Sequence, residues 1–72
     1  MGRGTNKKYL INVAKRIKQL RIERNLTQED FYNDTGIHIG RVETVKSNLT
    51  IATLLEICDY FEISIQEFFE DV

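Results

Sequence analysis

The chain has 72 residues, of which 42% are hydrophobic and 29% charged. That is enough for one small domain burying about 60% of its unfolded surface, and too little for two. Its longest apolar runs are two or three residues and its first residues carry no apolar signal core, so membrane and secretory readings fall away and a cytoplasmic placement is expected. One cysteine and one histidine cannot make an internal disulfide or a zinc site of the usual Cys/His kind, so the fold must rest on apolar packing and no cofactor is expected.

Leu10, Val13, Ala14, Ile17 and Leu20 recur at three and four residues and share one side of a long amphipathic helix, with Lys15, Lys18 and Glu23 outside it. Thr5 or Asn6 can cap its start, and Asn25 suits a left-handed stop. Ile11 and Ile22 lie off the apolar side. A second helix opens at Leu26-Thr27-Gln28-Glu29-Asp30-Phe31-Tyr32, with a cap residue, two acids in the first turn and Phe31 facing the core. Asn33-Asp34-Thr35-Gly36 breaks the helical pattern into a tight turn. Ile39, Val42 and Val45, at spacings of three, describe a short third helix, and the pair forms a candidate helix-turn-helix. Ser47-Asn48-Leu49-Thr50 reads as loop and cap. The fourth helix then shows a broad apolar side of Ile51, Leu54, Leu55, Ile57, Cys58 and Phe61, in which Cys58 is a buried structural residue. The chain turns at Glu62-Ile63, and the capping box Ser64-Ile65-Gln66-Glu67 opens a last helix bearing Phe68 and Phe69. No strand, repeat or low-complexity tract interrupts this order. The expected fold is all-α with five helices, residues 1–5 forming an N-terminal extension and residues 6–72 the domain.

The net charge of −1 conceals a segregation: residues 1–25 carry +7 and residues 26–72 carry −8. A chain so divided can present one positive face to a polyanion while remaining near neutral. It can equally hold a basic helix against an acidic one.

From about Val13 to Phe69, four fifths of the length, the sequence resembles the helix-turn-helix domain of the Cro and phage-repressor type, the XRE family, with its lambda-repressor-like five-helix fold. The segments that carry the likeness are V-A-K-R-I-K-Q-L-R, L-T-Q-E-D-F-Y, R-V-E-T-V-K-S-N, T-I-A-T-L-L-E-I-C and I-S-I-Q-E-F-F, in that order. The resemblance implies a second helix over the phosphate backbone, a third in the major groove, and a dimer reading two half-sites one helical turn apart. One departure stands out: the front and back halves align in registers that differ by about three residues, so nearly one helical turn is missing between Tyr32 and Val42. Either the third helix has lost its first turn, or the second ends early at Asn33 and Thr35 caps a third helix of normal length. The second is preferred, because Asp34-Thr35 is the better cap. In both cases the resemblance implies an ion pair between Glu43 and Arg21.

On this reading Arg41 faces solvent from the third helix and can meet guanine O6 and N7 together. Gln28, at the start of the second helix, can hold a phosphate. Thr35, His38, Thr44, Lys46 and Ser47 bracket the same surface, and Gly40 leaves room for close approach to the groove, although glycine weakens a helix. Phe68 and Phe69 are expected to meet a twin across a two-fold axis. The expected function is a sequence-specific regulator of transcription, most naturally a repressor, acting as a homodimer on double-stranded DNA. No enzymatic chemistry, small-molecule substrate or membrane partner is indicated. The alternative is a protein-interaction module or antitoxin-like partner that keeps the fold but binds DNA weakly or not at all, which the missing turn and the ten acids after residue 25 support.

Overall fold

Five helices follow one another in the computed structural model: α1 (Thr5–Glu23), α2 (Gln28–Thr35), α3 (Ile39–Glu43), α4 (Ile51–Phe61) and α5 (Ile65–Glu70). The structure describes residues 5–44, 49–70 and 72, with side chains from Lys8 onward. Val45, Lys46, Ser47 and Asn48 lie outside the described residues.

Local chemistry sets most of the boundaries. α1 ends where Asn25 takes a left-handed φ of 56°, a conformation asparagine tolerates better than most side chains. Thr27 caps α2 reciprocally: its hydroxyl accepts from the Asp30 N–H at 2.9 Å, and its own N–H donates to the Asp30 carboxylate at 3.1 Å. Those bonds hold the Asp30 carboxyl below its ordinary value. Thr50 caps α4 by accepting from the Thr53 N–H at 3.1 Å. Ser64 and Glu67 form the box that starts α5, with bonds of 2.9 and 3.0 Å that likewise lower the Glu67 pKa.

Ile17, Leu20, Phe31, Ile39, Val42, Leu54, Ile57, Cys58, Phe61 and Phe68 form one core to which all five helices contribute. Phe31 is wholly buried, with the Tyr60 ring edge-on at 4.8 Å and the Phe61 ring at 5.5 Å. Burial of one such side chain is worth about 1.5–3 kcal/mol, so the apolar face of α2 is its main anchor. Cys58 is 2% exposed, and burial pushes its thiol pKa up, in keeping with a packing role.

Three sequence expectations change. α2 does not stop at Asn33 but continues to Thr35, and Gly36, at φ 76°, is its left-handed cap, with its N–H donating to the Tyr32 carbonyl at 2.8 Å. The Thr35 hydroxyl donates to the Phe31 carbonyl and accepts from the Ile37 N–H. Thr35 therefore closes α2 instead of opening α3. The Tyr60 hydroxyl donates to the Asp34 carboxylate at 2.5 Å, tying the last turn of α2 to α4. These tertiary contacts override the weak helix propensity of Asn33 and Asp34. The second correction concerns α4, where Ile51 and Leu55 are 74% and 45% exposed and only Leu54, Ile57, Cys58 and Phe61 face inward. The third is Phe68. It is completely buried in the chain's own core, so it is not available to a twin, whereas Phe69 is 45% exposed.

Candidate nucleic-acid interface

α2 and α3 meet around an open groove of about 480 Å³, lined by Gln28, Glu29, Tyr32, His38, Ile39, Gly40, Arg41 and Thr44. Five residues singled out in the sequence thus converge: Gln28, His38, Gly40, Arg41 and Thr44. Thr35 does not join them, because its hydroxyl is occupied at the end of α2. Lys46 and Ser47 lie outside the described residues.

The groove is held by a polar network behind it. Arg21, 8% exposed on α1, grips Glu43 of α3 through two bonds, Nε to Oε2 at 2.8 Å and an Nη to Oε1 at 3.2 Å. Its other Nη donates to the Leu26 carbonyl at 2.7 Å. Such a fork fixes orientation as well as charge, and it locks α3 against both α1 and the turn before α2. The Gln28 amide Nε2 then donates to Glu43 Oε1 at 3.1 Å. Gly40 makes this reach possible, since a Cβ there would stand 2.9 Å from the Gln28 side-chain oxygen. The glycine in the first turn of a short helix thereby gains a packing reason that offsets its conformational cost.

The side chains left on the solvent side differ in character. Arg41 is exposed, and its guanidinium has no hydrogen-bond or ion-pair partner among the described residues. Thr44 spends its hydroxyl proton on the Gly40 carbonyl at 2.9 Å, leaving an acceptor outward. His38 precedes α3 without capping it by its side chain, and its ring lies stacked on Tyr32 with centroids 4.4 Å apart and planes 26° from parallel. Glu29, an exposed acid, also lines the groove.

Tyr32 and Glu29 were not selected from the sequence. A signal for Tyr32 existed: it follows Gln28 by four residues and so shares its side of α2, while the core position is filled by Phe31. Away from the groove, Arg16 is engaged with α5, its Nε donating to the Phe68 carbonyl at 3.1 Å, whereas Lys8, Lys15 and Lys18 stay exposed on α1.

An all-helical bundle with a helix-turn-helix at its surface, an ion-paired base behind the third helix and an exposed arginine on it has the architecture of a small DNA-binding domain. The sequence comparison agrees: the Cro/C1-type HTH DNA-binding domain model matches residues 16–72, and the chain belongs to that family. No curated protein and no solved structure gives a significant match. Among the described residues no group of His, Cys, Asp and Glu is placed to hold a metal ion, and no helix is long and apolar enough to cross a membrane.

Proposed function

We propose that this protein is a sequence-specific regulator of transcription, a repressor by occupancy of its operator, that binds as a homodimer and reads the major groove with α3. The observation that carries the reading is Arg41. The other α3 charge, Glu43, is neutralised internally by Arg21, so α3 offers the groove a single guanidinium with no partner among the described residues. Such a group can contact guanine O6 and N7 together, discriminating against other bases by about 1–3 kcal/mol. Gln28, on the same groove wall, serves as the phosphate-proximal contact, and Thr44, which also lines the groove, as a hydrogen-bond acceptor. The dimer uses Phe69, with Ile65 one turn before it on α5, both exposed.

The test is a salt series. Binding to a duplex selected from random DNA should weaken steeply as salt rises, as several phosphate-bound counterions are displaced, and the selected sites should be palindromic. Arg41→Ala should lose discrimination at one base pair per half-site with little change in melting temperature. No binding at moderate salt would refute the reading.

A second reading is favoured by two particular features, the five-residue span of α3 and the two acids, Glu29 and Asp30, in the first turn of α2. On that reading the domain is a protein-interaction module that has kept the bundle and lost DNA. Flat or absent duplex binding, together with capture of a protein partner that Arg41→Ala leaves intact, would favour it.

A further inference from the structure

The groove contains an aromatic pair to which the reading above gives no task. His38 stands at the start of α3, is exposed, does not cap the helix with its side chain, and has no hydrogen-bond partner for its ring nitrogens among the described residues. An exposed imidazole at the end of a loop would ordinarily sample several rotamers. Here one face is covered by Tyr32, at 4.4 Å and 26°. Tyr32 in turn sits on α2, whose neighbouring Phe31 is wholly buried and whose last turn is tied to α4 by the Tyr60–Asp34 bond. The stack therefore transfers the rigidity of α2 to a side chain that α3 itself does not hold.

We propose that Tyr32 is a positioning residue for DNA recognition, and that the His38 ring it holds flat donates to the N7 edge of a purine next to the base pair met by Arg41. The inference rests on the DNA-binding reading. The choice of a base edge over a phosphate follows from place: His38 stands at the start of α3, the helix proposed to enter the major groove, on the same groove wall as Arg41, whereas the phosphate contact falls to Gln28 at the start of α2. A ring fixed before binding loses less freedom on contact than a mobile one, which is how Tyr32, acting only through His38, raises affinity.

The experiment measures dissociation constants for wild type, His38→Ala, Tyr32→Ala, Tyr32→Phe and the double alanine variant on the duplex that wild type selects from random DNA, with melting temperatures taken alongside. One neutral hydrogen bond lost should weaken binding about two- to tenfold. His38→Ala and Tyr32→Ala should each show that loss and relax preference at the same base pair. Tyr32→Phe, which retains the stack, should behave as wild type, and the double variant should bind no worse than His38→Ala. Replacing the purine at that position by its 7-deaza analogue should erase the effect of His38→Ala. The proposal is overturned if the two single losses multiply, if either variant weakens all sequences evenly, if Tyr32→Phe is as impaired as Tyr32→Ala, or if the 7-deaza duplex leaves the effect of His38→Ala intact. If wild type selects no duplex at all, the DNA-binding reading has failed and this inference falls with it. If wild type selects sites and the single variants bind as wild type does, only this inference has failed.

Discussion

Removing the Glu43 carboxylate should come close to unfolding the domain. The Arg21–Glu43 pair has side chains only 10% and 4% exposed, so the relevant scale is that of a buried pair losing one partner, about 3–5 kcal/mol, and not the 0–1 kcal/mol of a surface pair. In Glu43→Ala the guanidinium keeps the Leu26 carbonyl but loses both carboxylate bonds, and Gln28 Nε2 loses its acceptor. A chain of 72 residues has a total stability of roughly 4–11 kcal/mol at 0.05–0.15 kcal/mol per residue. The loss is thus about a quarter of that total at least, and lowers the melting temperature by about 12 °C or more at 4–8 °C per kcal/mol. Denaturant titration followed by circular dichroism reads it directly. Arg21→Met combined with Glu43→Leu should recover much of the loss, because the damage comes from a stranded buried charge rather than from a missing attraction. If Glu43→Ala costs less than about 1 kcal/mol, the pair is screened as a surface pair would be and the argument that it locks α3 is wrong.

Other outcomes follow from the same structure. Ile17 is completely buried, so Ile17→Ala should cost about 2–5 kcal/mol in a chemical melt, and tolerance of the change would contradict the packing of α1. Phe69→Glu should convert a dimer to a monomer in sedimentation while barely changing the melting temperature, since Phe69 is 45% exposed; an unchanged dimer would move the interface elsewhere, with exposed Ile51 and Leu55 the next surface to alter. Both capping-box carboxyls are held below their ordinary values of 3.8 and 4.5. Their contribution to stability is therefore complete above those values and is lost as pH falls below them towards the lower folded-state values. Asp30→Asn with Glu67→Gln should flatten the acid limb of a stability profile; an unchanged limb would assign it to other carboxyls.

The helix count and most of the caps were legible in the chain because they depend on residues close in sequence. Thr27 with Asp30, Thr50 with Thr53, Ser64 with Glu67, and the left-handed stop at Asn25 each satisfy bonds within a few positions of themselves, and Glu62-Ile63 was legible as a turn, though not as the left-handed conformation Glu62 adopts. The buried side of α1 was equally clear, since a three-and-four spacing sustained from Leu10 to Leu20 admits one apolar face. The Glu43–Arg21 pair was foreseen through family likeness, which carries long-range information that spacing lacks.

The end of α2 was not legible in the same way. Asn33 and Asp34 favour a turn when judged alone, yet the buried Phe31 and the Tyr60 hydroxyl reaching Asp34 hold them in helix, and these contacts join residues 26 or more positions apart or depend on the whole core. Which of two apolar neighbours points inward is likewise a question of what lies opposite: Phe68 goes into the core and Phe69 out of it, Leu54 in and Leu55 out. The stack of Tyr32 on His38 arises because α2 runs on to Thr35 and brings the loop back over its own surface. Sequence thus determined the elements, through bonds and periodicities a few residues long. Tertiary structure alone decided their lengths at the helix-turn-helix and the side chains that face the groove, because both depend on free energy gained between segments that propensity treats as independent.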